Sequence, residues 1–147
     1  MKDLSPAVRT LARLARVLER TSGDLTLPQY RVLAMVARGD ERASHLADRL
    51  ALAKPTITAV VDGLAERGLL SRSTVDEDRR AARIQVTADG RKALLAAEAA
   101  MGERVQSLLD RTTDPPAVLA ALVDLGRALD DASAERMDAM GAARPAV

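Results

Sequence analysis

The chain contains no cysteine, no tryptophan and no phenylalanine, and its single aromatic residue is Tyr30. Without cysteine there can be no disulfide, thiolate nucleophile, iron–sulfur centre or cysteine-based zinc site. A lone histidine, His45, rules out a histidine-rich metal centre within one chain. No apolar run approaches the ~20 residues needed to span a bilayer. The opening MKDLSPAVRT has no apolar signal core, so a soluble, cytoplasmic protein is expected. What is abundant instead is alanine and leucine, which favour helices packed closely through small side chains. No cofactor is implied.

At 147 residues the chain is expected to form one domain spanning 1–147, long enough to bury a core. Its net charge of +1 hides a gradient. Residues 1–23 hold five basic and two acidic side chains, residues 24–92 twelve and ten, and residues 93–147 five and nine. A polyanion would therefore meet the first two-thirds rather than the acidic last third.

Apolar residues recur at three- and four-residue steps from Leu4 to Leu18, predicting a helix over about Pro6–Glu19 with Pro6 in its first turn. TLPQYRVLAMVARG predicts the next helix, with Thr26 as N-cap, Gln29 as its capping-box partner and Gly39 as terminator. A short helix, Ala43–Leu50, and a longer one led by Pro55 and closed by Gly68 follow within a few residues of each other. That is helix-turn-helix spacing. In the longer helix Ile57, Val60, Val61 and Leu64 form a buried stripe. Lys54, Thr56, Thr58, Ala59, Asp62 and Gly63 lie on the other side.

After Gly68 the period changes. LLSRSTV and ARIQV read as strands on either side of the charged DEDRRA, a two-stranded hairpin. Thr87 caps a long helix to Leu109, and Asp114 and Pro115 start the last one, whose tail GAARPAV is expected to fray. The expected fold is therefore mainly α with a small β-hairpin wing. It divides into a winged helix-turn-helix module over 26–88 and terminal helices over 4–22 and 89–135 forming a dimerisation layer. Thin, Leu/Ala-rich helices commonly complete their burial on a second copy, so a homodimer is expected.

Neighbouring Ser44 and His45, with Asp48 three residues on, do not make a catalytic trio. Successive helical side chains diverge by roughly 100°, and no oxyanion loop accompanies them. No catalytic or metal-binding residues are assigned, and an enzyme is not expected.

The segments LTLPQYRVL, ASHLADRLALAKPTITAVVDGLAERGLL and STVDEDRRAARIQVTADGRKAL resemble the MarR family of transcriptional regulators, in the right order and over about Leu4–Ser133. The wing followed by VTADG is the most specific piece. The resemblance implies a homodimeric regulator, read here as a repressor, on a pseudo-palindromic double-stranded DNA operator. It also implies release by a small aromatic acid or lipophilic effector. Family members often carry a bulky basic residue on the exposed face of the recognition helix, where this chain has Ala59 and Gly63.

Against that background Arg80 is the favoured wing-tip guanidinium for a narrow minor groove, with Arg79 on phosphate. Asp78 beside them would repel phosphate if idle, so its expected role is to orient the wing by pairing with Arg49 or Arg72. Lys54, Pro55, Thr56 and Thr58 head the recognition helix as base and phosphate contacts. Ser44, Arg42 and Arg31 are further phosphate candidates. Arg13, Arg16, Arg20 and Tyr30 are candidate effector contacts. The competing reading is a protein-interaction module on a degraded winged helix, without specific DNA binding.

Overall fold

A computed structural model describes residues 2–39, 43–50, 52–73 and 83–142, the side chains of 43–45, 137 and 140–142 excepted. Its elements run α1 (Ser5–Thr21), α2 (Leu27–Ala37), α3 (Ala43–Leu50), α4 (Lys54–Glu66), β1 (Leu70–Ser73), β2 (Arg83–Val86), α5 (Ala88–Leu109) and α6 (Pro115–Ala142).

Local chemistry sets most boundaries. Thr26 and Gln29 close a reciprocal capping box at the start of α2: each side chain accepts the other residue's backbone N–H. Pro28 and Pro55 occupy first turns, where a missing N–H costs nothing. Gly39 and Gly68 end α2 and α4 with φ of 106° and 69°, values that favour glycine. The Asp114 carboxylate accepts the Ala117 N–H at 3.0 Å and caps α6. Two helices outrun their sequence patterns. α1 starts at Ser5 because the Asp3 carboxylate accepts the Ser5 N–H at 3.0 Å, a bond that also holds the Asp3 carboxyl below its ordinary value. α6 runs to Ala142, beyond the expected end of the dimerisation helices at 135 and two residues into the segment expected to fray.

The core lies within the helix-turn-helix. Val32, Leu33, Leu46, Ile57, Val61 and Leu64 are at most 1% exposed. Val60, expected in the buried stripe of α4, is only half-buried. Ile84 and Val86 bury the inner face of β2, and Leu94, Ala97 and Met101 carry the core onto α5. β1 and β2 pair antiparallel with Leu70 opposite Val86 and Ser73 opposite Arg83. A helix pair followed by this hairpin is a winged helix-turn-helix.

The wing's base is tied by one residue. Thr87 accepts the Gly90 N–H at 3.0 Å, donates its hydroxyl to the Gly68 carbonyl at 2.7 Å, and donates its own N–H to the Leu69 carbonyl at 3.2 Å. The end of α4, the start of β1 and the first turn of α5 thus meet at Thr87.

α1 is different in kind. None of its residues is buried, and Leu4, Val8 and Leu11 are exposed. On α6, Leu119, Val123, Leu125 and Leu129 are exposed as well. Among the described residues, no helix is long and apolar enough to cross a membrane.

Candidate nucleic-acid interface

The first two turns of α4 present Lys54, Pro55, Thr56, Thr58 and Ala59 to solvent, while Ile57 between them is buried. The helix is held from behind by its apolar stripe and pinned at its far end. There Arg67 donates to the Asp24 carbonyl at 3.1 Å and to Gln29 Oε1 at 3.2 Å. The Thr58 hydroxyl donates to the Lys54 carbonyl at 3.0 Å, within the helix. Its proton is thereby used, and what Thr58 offers outward is a methyl group and an acceptor oxygen. That combination suits a thymine methyl rather than a phosphate. The Thr56 side chain is exposed.

Arg79, Arg80, Asp78 and Arg42 lie outside the described residues. Ser44 sits in the first turn of α3, and its side chain lies outside the described set. Arg72, one of the two expected partners of Asp78, is salt-bridged to Asp62. The pair joins β1 to the middle of α4, so the wing strand is braced against the recognition helix through side chains as well as through Thr87. Spacing gave no hint of this: Asp62 read as one polar residue among several on the outer face of α4. The anchoring role of Arg67 was equally invisible, because its partners lie about forty residues earlier.

Both partners of the Asp62–Arg72 bridge are about half exposed, at 46% and 44%. Such a pair contributes under ~1 kcal/mol to stability. Asp62→Asn should therefore leave the melting temperature nearly unchanged. It should nevertheless weaken DNA binding several-fold, as measured by fluorescence anisotropy on a duplex the protein binds. The substitution removes a negative charge near DNA, so a loss of affinity isolates the bracing effect. A gain would mean that Asp62 acts only through its charge.

The candidate effector contacts do not converge. Arg16 and Arg20 are exposed on α1, and Tyr30 is half-buried on α2 with its hydroxyl donating to Glu98 Oε1 at 3.4 Å. Burial, then the Glu98 charge and its hydrogen bond, push the Tyr30 phenol above its ordinary value. An apolar cleft of about 360 Å³ does open between α1, α5 and α6. It is lined by Leu11, Leu14, Val17, Val105, Leu108 and Leu122, with Arg13 as its one charged side chain.

A small, uncharged-to-basic helix face beside a braced hairpin is the arrangement of a winged helix-turn-helix protein. Residues 23–81 match the model of the MarR family. This stretch is a MarR-family domain, and the chain carries the fold of a MarR-family transcriptional regulator, a family whose members bind DNA and form dimers. Over 86 residues it is 31% identical to the HTH-type transcriptional regulator YfiV of Bacillus subtilis, a match covering 58% of this chain and 54% of YfiV. The chain thus spans about half the length of that relative. It is 29% identical over 133 residues to YpoP of the same organism, covering 88% of this chain and 93% of YpoP. The crystal structure of the PcaV transcriptional regulator from Streptomyces coelicolor, solved with its natural ligand, superposes with a TM-score of 0.67 at 26% identity, covering 90% of this chain and 98% of PcaV.

Proposed function

We propose that the protein is a homodimeric, sequence-specific transcriptional repressor. Its two winged modules read a pseudo-palindromic operator, and a small aromatic or lipophilic ligand releases it. The observation that carries this reading is the exposed first two turns of α4, fixed beside a wing strand by the Asp62–Arg72 bridge and the Thr87 knot. Lys54 supplies phosphate contact, and Pro55, Thr56 and Thr58 supply apolar and polar contacts to bases. Arg80 enters the minor groove at the wing tip, with Arg79 on the adjacent phosphate and Asp78 orienting the two. Ser44 and Arg42 add backbone contacts at the start of α3. Few charged groups on α4 means that DNA shape and the wing carry more of the specificity.

The homodimer is supported by the apolar faces of α1 and α6, which the single chain leaves uncovered. Ligand release is supported by the apolar cleft under α1 and by the ligand-bound state of PcaV. The exposed Ala59 favours one other reading, an interaction module that has lost base recognition.

Selection of duplexes from a random pool, followed by titration of the winner at several salt concentrations, separates the two. The regulator reading expects an enriched inverted repeat bound by one dimer. The log–log salt slope should be about −0.9 per phosphate neutralised. Arg80→Ala should then weaken operator binding by roughly 10-fold or more, the discrimination a buried groove contact of ~1–3 kcal/mol provides. No enrichment, with feeble binding even at low salt, would leave the interaction module as the function.

A further inference from the structure

Three helices meet at a second cleft, of about 310 Å³, whose chemistry is unlike that of the apolar one. Arg31 of α2, Arg38 at the C-cap of α2, Arg49 of α3 and Arg136 of α6 line it. We propose that this cleft binds a small phosphate-bearing anion carrying at least two negative charges.

Among the described residues lining the cleft, Arg31, Arg38 and Arg136 are set against one carboxylate, that of Asp130. Among the described residues, Asp130 makes no salt bridge with Arg31, Arg38 or Arg136, and the guanidinium groups of Arg31 and Arg38 have no hydrogen-bond partner. Arg136 is held in place from its own helix: its Nε donates to the Ala132 carbonyl at 3.2 Å and one Nη donates to Ser133 Oγ at 3.2 Å. Those bonds orient the guanidinium and leave further N–H donors for a ligand. Like charges gathered in one cleft repel each other, and an anion between them removes that cost. Guanidinium forks match phosphate oxygens in geometry as well as charge. Met35 and Leu50 add an apolar wall against which the carbon body of a phosphate ester would lie. The volume sits at the lower end of the range for small-molecule sites, roughly 300–1,000 Å³.

The position gives such a ligand a consequence. α2 and α3 belong to the winged module, whereas α6 belongs to the helical layer outside it. An anion gripped from both sides would fix one relative to the other. Binding itself requires only the cleft; its effect on DNA rests on the regulator reading above.

Calorimetric titration of the full-length protein without DNA tests the site, using sodium pyrophosphate, inorganic phosphate and succinate at matched ionic strength. The expected result is saturable binding of one pyrophosphate per chain, tighter than inorganic phosphate or succinate. The double variant Arg38→Gln/Arg136→Gln should lose roughly 10-fold or more in affinity while keeping its melting temperature without ligand. No saturable heat up to ~10 mM, the range of Kd at which only feeble binding remains, would overturn the proposal. So would unchanged affinity in the variant, or succinate binding as tightly as pyrophosphate. If the variant loses DNA affinity while pyrophosphate binding is unaltered, the arginines serve the DNA backbone and the small-anion site is refuted. Pyrophosphate binding that is lost in the variant but leaves operator affinity unmoved would keep the site and remove only its link to DNA.

Discussion

Replacing Gly90 with alanine is expected to destabilise the protein by ~3 kcal/mol or more, the range of severe overpacking against a neighbour that cannot move away. A Cβ built on Gly90 falls 2.0 Å from the Leu69 carbonyl oxygen, 3.0 Å from the Leu69 carbonyl carbon and 2.9 Å from Val86 Cγ1. The oxygen is backbone and is already held by the Thr87 N–H, so it cannot swing aside. Relief would require α5 to lift from the wing base and break the Thr87 hydrogen bonds. Gly102 in the same helix supplies the control, since a Cβ there meets nothing within 4 Å. Gly102→Ala should raise stability by about 0.5–1 kcal/mol, the ordinary helix-interior preference for alanine over glycine. Urea denaturation of the two variants beside the wild type gives both signs in one experiment. A Gly90→Ala protein as stable as the wild type would mean that α5 and the wing base are not in close contact.

The contrast between these two glycines also marks what can be read from a sequence. VTADG was legible as a motif because Thr87 caps a helix, and capping is a local act involving three residues. The reason for the glycine within it was not legible, because the neighbour that forbids a side chain, Leu69, sits across the hairpin. The same division holds elsewhere. The Thr26–Gln29 box, the Asp114 cap and the glycine stops after α2 and α4 all follow from residues within four positions of one another. So do the amphipathic stripes that set the order of elements and hence the fold. The Asp62–Arg72 bridge needs the turn after Gly68 to bring β1 back along α4. The arginine cleft needs residues from α2 and α6, about a hundred positions apart, to meet. Charge counts along the chain even pointed away from it, because Arg136 lies in the acidic last third. Local rules thus set the elements, and the side-chain chemistry between elements appears only once they are packed.

Val8→Asp combined with Leu119→Asp is expected to leave the winged module folded and to convert a homodimer into monomers. The argument rests on what α1 and α6 lack within one chain. Val8 and Leu119 are 61% and 48% exposed, and Leu4, Leu11, Val123, Leu125 and Leu129 are exposed beside them. Burying a side chain of this kind contributes about 1.5–3 kcal/mol. Completing the burial of seven half-exposed ones on a second copy would therefore contribute on the order of 10 kcal/mol before the costs of association, comparable to the whole stability of a domain. A carboxylate at two of these positions would have to be desolvated without a partner, so each substitution opposes association rather than merely failing to support it. The core of Val32, Leu33, Leu46, Ile57, Val61 and Leu64 is untouched by either change. Light scattering behind size exclusion should report half the wild-type mass. Operator affinity should fall by roughly 10²–10⁴-fold, because two linked half-site contacts become two independent ones. Affinity for an isolated half-site should stay within a few-fold of the wild type. A variant that remains dimeric would place the self-association surface away from α1 and the first half of α6. A wild type that is monomeric while still binding an inverted repeat would remove the dimer from the proposed mechanism and leave each winged module to act alone.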